Sequence, residues 1–267
     1  MRAFLLALAF CACATPAAAD RFALTYEGLG LRFVPLGEIQ LDADVSADTY
    51  AVSASLRSGG LLNLFEPTNL AASSTGLITS LGDVAWRSYS LDHRYSHKRR
   101  IIEMRADPAG AVSTEIVPNY RLWGDPRTSE EQMRRSRDPL STMVAMAIDV
   151  GQSRRCAGAY PTFDGRFHYL MELSGRGEID DFDGGGYDGP ILKCSLAYIA
   201  VAGYERSDRG RRRIPHAEIW FALPEGARFA PPVRIATPLA AGGATIRLSS
   251  WRRAEVQITS LRDDGRE

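Results

Sequence analysis

The chain has 267 residues, 24% of them charged and 45% hydrophobic, with 32 Lys and Arg against 32 Asp and Glu. A balance so close to neutral argues against a general polyanion or nucleic-acid binder, and the composition excludes disordered, collagenous and cysteine-dense classes. Lysine occurs only at Lys98 and Lys193, so nearly every positive charge is Arg, which reads first as a GC-rich coding bias and only second as bidentate anion recognition.

The first nineteen residues read as a removed signal peptide. Arg2 supplies the positive start, Ala3 to Ala14 an apolar run, and Thr15-Pro16 breaks it before Ala17-Ala18-Ala19, an A-x-A cleavage pattern ahead of Asp20. Phe10 before Cys11 and the residues before Cys13 suit a lipoprotein signal poorly. No later run reaches the roughly 20 apolar residues of a membrane-spanning helix. What remains, 20–267, is expected to be a single β-rich domain carrying 31 basic and 32 acidic residues. Export to the periplasm leaves one cysteine pair, Cys156 and Cys194, which should form a disulfide there. Without C-x-x-C spacing the pair reads as structural and not as a redox centre.

Along the chain, alternation of apolar and polar residues predicts strands at Phe22 to Tyr26, then at Ile39 to Val45 and Tyr50 to Leu56 as a hairpin turned by 46–49. Further strands are expected at Ala85 to Asp92, Arg99 to Arg105, Arg166 to Ser174, Leu192 to Val201, Ala217 to Leu223, Val233 to Thr237, Ala244 to Ser250 and Glu255 to Leu261. Between them, after a polar stretch from Ser129 to Arg137, the spacing of Leu140, Met143, Val144 and Ala147 predicts one helix over Pro139 to Asp149, capped by Asp138 with Pro139 at its first position. So many half-apolar strands can each bury one face only if the sheet curls, so the expected fold is mainly β, an antiparallel curled sheet, incomplete barrel or spiral. A helix apolar on most sides belongs on its concave face.

Motifs that carry chemistry are few. His93 and His97 have metal-ligand spacing only if helical, and here they read as strand running into a turn; with His168 and His216 they are taken as surface residues. The run Asp180 to Gly189 fails the EF-hand register, with Gly at the fifth position and Leu192 at the twelfth, and reads as a solvated hairpin loop. The Arg-rich stretch Arg209 to Arg213 reads as another. No nucleophile elbow, H-E-x-x-H or phosphate-cradling glycine loop is present. Arg99-Arg100, Arg134-Arg135 and Arg211-Arg212-Arg213 are short basic clusters able to face lipid headgroups or other envelope polyanions. Trp86, Trp123, Trp220, Phe167 and Tyr169 fit a core better than a ligand cavity.

Several segments together resemble the bacterial exported family of domain of unknown function 3108: Leu24-Thr25-Tyr26-Glu27, Asp138-Pro139-Leu140-Ser141, Phe163-Asp164-Gly165-Arg166 with Tyr169, Tyr187-Asp188-Gly189-Pro190, Lys193-Cys194, 198–203 and Pro231-Pro232-Val233-Arg234. The chain departs from that pattern with Ala200-Val201 where Pro-Ile is common and with a longer acidic stretch before Tyr187. The resemblance implies an exported antiparallel β protein, by analogy curled like the LolA and LolB lipoprotein carriers around a helix, and it implies no activity. The expected function is therefore a non-catalytic periplasmic protein of the cell envelope, without metal or cofactor. In the first reading it binds a lipid or lipidated partner in a groove lined by Leu140, Met143, Val144 and Ala147. In the alternative it is a scaffold or interaction module with a packed interior, meeting another envelope protein at exposed edges or at its Arg-rich loops.

Overall fold

In the computed structural model of the chain the described residues are 19–31, 34–60, 63, 67–238 and 242–256. The signal-peptide reading, with Cys11 and Cys13, lies outside them apart from Ala19, which opens the first strand. Thirteen strands are described: β1 (Ala19–Gly30), β2 (Val34–Val45), β3 (Thr49–Ser58), β4 (Thr68–Ile78), β5 (Val84–Tyr95), β6 (Lys98–Ala106), β7 (Val112–Val117), β8 (Gly158–Phe163), β9 (His168–Gly184), β10 (Tyr187–Ala202), β11 (Ala217–Ala222), β12 (Pro232–Thr237) and β13 (Ala244–Val256). Two helices, α1 (Glu130–Arg134) and α2 (Pro139–Ser153), separate β7 from β8. The strands form one antiparallel sheet in the order β7-β6-β5-β4-β3-β2-β1-β13-β12-β11-β10-β9-β8. Its first and last strands pair at the centre, from Ala19 opposite Val256 to Gly30 opposite Ala244. The two free edges, β7 and β8, are therefore consecutive in the chain, and the segment joining them carries both helices across the mouth of the curl.

Helix α2 starts where the sequence places it because Asp138 accepts the amides of Leu140 and Ser141, each at 3.0 Å, and Pro139 has no amide to leave unpaired. It runs one turn beyond the expected Asp149, to a left-handed cap at Arg154, φ 51°. Val144, Met146, Ala147, Ile148 and Val150 are at most 1% exposed, in one apolar core with Phe22, Leu24, Ile191, Leu192, Ile219 and Phe221. Strands from both halves of the sheet thus pack around one helix, as a curled sheet requires.

The mouth of the curl is closed by the residues that precede α2. The Arg137 amide donates to Pro161 O at 3.0 Å, and the Phe163 amide to Arg137 O at 2.9 Å, so this short segment lies beside edge strand β8. On its other side the Trp86 indole donates to Ser136 O and Arg137 Nε to Val84 O, both at 2.9 Å, which ties it to β5. One residue on, Asp138 Oδ2 accepts Ser74 Oγ at 2.9 Å and also the Ser141 hydroxyl, and Tyr50 OH lies 2.6 Å from Ser141 Oγ. Burial raises the Asp138 carboxyl from 3.8 to about 6 against these hydrogen bonds.

Cys156 and Cys194 are joined, with Cα atoms 5.3 Å apart, which staples the segment leaving α2 to β10. Cys194 faces inward with Leu196; the two half-cystines are 6% and 3% exposed.

Three strands lie where no strand was expected. β4 reads Thr-Asn-Leu-Ala-Ala-Ser-Ser-Thr-Gly-Leu-Ile, poor in β-branched and aromatic residues, because α2 and Tyr50 crowd its inner face. A Cβ on Gly76 would meet Tyr50 OH at 2.6 Å, and Ser74 is spent on Asp138. β8 carries Pro161, tolerated on an edge strand, and β7 is a short edge between turns. Part of the polar stretch 129–137 is helical, since Ser129 and Gln132 form a reciprocal capping box. The expected loop over Asp180 to Gly189 is a correction: β9 continues to Gly184, β10 begins at Tyr187, and only Gly185-Gly186 turn, both at positive φ. Of the strand expected at Glu255 to Leu261, only the first two residues are described, as the end of β13.

Replacing Asp138 by Ala removes a cap and the shared acceptor of two buried hydroxyls, which keep only Ser88 O, Tyr50 and each other, and should lower unfolding stability by about 1–3 kcal/mol in urea titration. Because the folded carboxyl binds its proton more tightly than the unfolded one at 3.8, protonation stabilises the fold fully below about pH 4, and that contribution is lost as pH rises through about 6. The stability of the natural chain relative to Asp138→Asn should therefore rise by up to about 3 kcal/mol between pH 7 and pH 4. Replacing both Cys156 and Cys194 by Ser should cost about 2–4 kcal/mol by the same titration under oxidising conditions.

Candidate functional site

The residues singled out from the sequence do not converge. His93 lies on β5 with its ring 4.7 Å from Tyr95, whereas His97 sits in the β5–β6 turn and His216 is exposed before β11. His168 is a correction: it opens β9 only 9% exposed, its Nδ1 buried without a partner, and burial lowers its pKa. Its strand position reads as polar, but Phe163 and Gly165 fold the β8–β9 turn onto the inner face of β6 and β7, where Gly165 faces Ile102 and Ile116. Among the described residues no three His, Cys, Asp or Glu side chains come together at a metal-binding distance. Of the four residues expected to line a groove, Val144 and Ala147 are closed off in the core at 1% and 0% exposure, and Leu140 and Met143 are half-buried against it. Arg99 clamps Asp92 with two hydrogen bonds of 2.8 Å and holds that carboxyl down to about 2, while Arg135 pairs with Glu131 at 2.6 Å.

What the fold does assemble is a basic surface from two loops far apart in sequence. The loop after β7, residues 118–129, docks on the loop after β10, residues 203–214. Gly124 N donates to Glu205 Oε1 at 2.8 Å, Asp125 N to Tyr204 O at 3.2 Å and Gly203 N to Pro126 O at 2.8 Å. The crossing needs glycine on both sides. A Cβ on Gly124, φ 88°, would lie 2.1 Å from Gly203 C, and one on Gly203, φ 89°, 2.1 Å from Arg166 O. Three backbones, those of Gly124, Gly203 and Arg166, therefore stack in direct contact, and Thr128 Oγ1 adds a hydrogen bond to Arg166 O at 3.0 Å.

Beneath this crossing lies an aromatic layer. Phe167 and Tyr204 stack at 4.6 Å, Tyr169 and Tyr198 at 4.5 Å, and the Tyr198 and Tyr204 hydroxyls are hydrogen-bonded. Arg166 pairs with Asp208 at 3.1 Å, their side chains only 13% and 16% exposed, and it lies over both Tyr120 and Phe167. Asp164 Oδ1 fixes the turn by accepting the amides of Arg166 and Phe167 at 3.0 and 2.8 Å, and burial raises its pKa.

Above the crossing the surface is cationic. Arg121, Arg127, Arg206, Arg209, Arg211, Arg212 and Arg213 are all exposed on the two loops. Of the three acids there, Asp208 is held by Arg166 and Glu205 by Gly124 N, which leaves Asp125. Arg127 lies over Trp123 at 4.5 Å, Arg211 over Phe167 at 5.2 Å and Arg212 over Tyr204 at 5.9 Å, so aromatic faces hold several guanidinium groups in place. Leu122, 62% exposed, and Ile214, 41% exposed, add apolar contact area. Arginine pre-organised in this way suits carboxylate and phosphate groups, which it can bind bidentately. Of the basic clusters in the sequence, Arg211 to Arg213 belongs here. Its partners Arg121, Arg127 and Trp123 lie some ninety positions earlier and carry no local signal, apart from the glycines that make the crossing.

No family model matches the chain, so its resemblance to the family of domain of unknown function 3108 gains no support there, and no curated protein matches it significantly. A search of solved structures finds similarity to a β-barrel-like protein of domain of unknown function DUF1849 from Brucella abortus, at TM-score 0.49 and 8% identity over 89% of this chain and 98% of that one.

Replacing Gly203 by Ala forces a side chain into the Arg166 carbonyl at a positive φ. It should cost about 1–3 kcal/mol and, more specifically, raise amide hydrogen exchange across 118–128, because that loop loses its seat.

Proposed function

We propose that the protein is a non-catalytic, exported component of the cell envelope that acts as an interaction module, binding an acidic partner protein on the surface made by residues 118–129 and 203–214. One observation carries this reading: seven exposed arginines lie on two loops docked on one another, three of them over aromatic rings, while the loop acids are mostly engaged internally. Arginine and aromatic residues beside exposed Leu122 and Ile214 form the combination enriched where proteins meet. The leader pattern and the Cys156–Cys194 disulfide support export to an oxidising compartment. The side chains filling the space around Val144, Met146, Ala147 and Ile148 favour this reading over an acyl-chain groove beside α2.

Crosslinking in cells followed by partner identification tests the proposal. A reproducible acidic protein should be captured, and the triple variant Arg211→Glu, Arg212→Glu, Arg213→Glu should lose it while unfolding stability stays within about 1 kcal/mol, since all three side chains are exposed. Capture should weaken with added salt. Co-sedimentation with anionic phospholipid vesicles in place of any protein partner would overturn the reading. So would lipid retained through native mass spectrometry and lost on mutation of Met143.

A further inference from the structure

A second site lies away from the loop surface. The tip of the β9–β10 hairpin, Phe182 to Gly185, leans over the face of β1, β12 and β13 that carries Glu27, Arg234 and Arg247, and borders a half-open cavity of about 710 Å³. Across its floor the strand register sets Arg234 directly opposite Arg247, and Arg247 directly opposite Glu27. Two like charges facing each other across adjacent strands destabilise a sheet unless an anion lies between them. None lies between these two: Glu27, on the far side of Arg247, takes Arg247 at 3.1 Å, and Arg234 makes no ion pair among the described residues. Its guanidinium lies over Trp220, 4.4 Å from the ring centroid, while Lys193 Nζ stands 4.8 Å from the same ring. Lys193 is neutralised by Asp180 at 2.5 Å, so Arg234 is the cation left without a counter-charge, and its buried Nε–H has no acceptor. Arg234 is half-buried and lines the cavity, so an oxyanion bound there gains a charge-assisted hydrogen bond from a guanidinium that has no counter-charge.

The walls narrow the ligand further. Phe182 stands edge-on to Trp220 at 6.3 Å and stacks on Tyr187 at 6.4 Å, so a fixed ring forms one side of the cavity, with Leu29 adding an apolar surface. Asp183 is exposed on the hairpin tip and repels an anion from that end, which leaves the Arg234 end. We propose that this cavity binds a small organic oxyanion, its carboxylate or phosphate held by Arg234 with Arg247 behind it and its carbon body against Phe182 and Leu29. This requires neither a partner protein nor the arginine loops.

Titration of isotope-labelled full-length protein with phenyl phosphate, benzoate and inorganic phosphate, followed by NMR at the arginine Nε–H and Trp220 indole signals, tests it. Saturable shifts at Arg234 and Trp220 are expected with phenyl phosphate or benzoate, and the tighter of the two identifies the acid group. Arg234→Gln should weaken binding about tenfold or more, the worth of one charge-assisted hydrogen bond. Arg234→Met keeps an aliphatic stack on Trp220 and should weaken it equally, which guards against a variant that merely misfolds. Phe182→Ala should bring phenyl phosphate down to the affinity of inorganic phosphate. The loop variant Arg211→Glu should bind as the natural protein does, so the fate of the partner-binding surface does not decide this one. Non-saturating shifts, or unchanged binding in Arg234→Met, would overturn the assignment.

Discussion

Everything in this fold hangs on the three residues Ser136, Arg137 and Asp138. A thirteen-stranded sheet whose edges never pair has to be held in its curl by something other than strand hydrogen bonds, and here the β7–β8 connection supplies it. Ser136 and Arg137 give backbone and side-chain hydrogen bonds to β5 on one side and β8 on the other, and Asp138 then starts the helix that fills the interior. Closure, helix nucleation and core filling thus occur at one place. The cost is a carboxyl buried among Ser74, Ser141 and Tyr50, tolerated because its oxygens accept two amides and two hydroxyls.

With most of α2 in the core, the surfaces proposed to meet a partner or ligand are loop crossings and the outward face of the sheet, and both have charge separated locally within a chain that is neutral overall. Near neutrality argues against a general polyanion binder and says nothing about a patch, because potentials near a surface follow the nearest unscreened charges. On the loops, acids are turned inward to hold the crossing together and arginines are left outward. On the sheet, a row of cross-strand pairs runs through Lys193, Trp220, Arg234, Arg247 and Glu27, balanced except at Arg234. The disulfide belongs to the scaffold in both cases, tying the end of α2 to β10, the strand that leads into the second arginine loop.

Much of the architecture was readable from residue order. Alternation marked strands wherever one face is rich in large apolar groups, as in Ile39 to Val45 or Ala217 to Leu223, and Asp138-Pro139 marked the helix start to the residue. It failed where packing calls for the opposite composition. β4 carries Ala72, Ser74 and Gly76 inward because Tyr50 and α2 already occupy that space, so a strand packed on the helix shows no strand pattern. At Asp180 to Gly189, acids and glycines that suit a solvated turn instead line a long hairpin whose tip rests on Leu248 and Trp251, with only two residues turning. His168 was misplaced for a related reason, since a strand's polar face becomes interior when a turn folds over the next edge.

By itself the sequence determined a predominantly β chain with one central helix, a leader pattern and a single cysteine pair outside it, because periodicity, capping and cysteine arithmetic are local or countable properties. Tertiary structure alone decided which cations stand together. The loops that carry Arg127 and Arg211 meet only through the Gly124–Gly203 crossing, and Arg234 is left without a counter-charge by the register that gives Glu27 to Arg247. Such pairings join residues as much as 220 positions apart, and no local pattern encodes them, because they are set by how strands align once the sheet has curled.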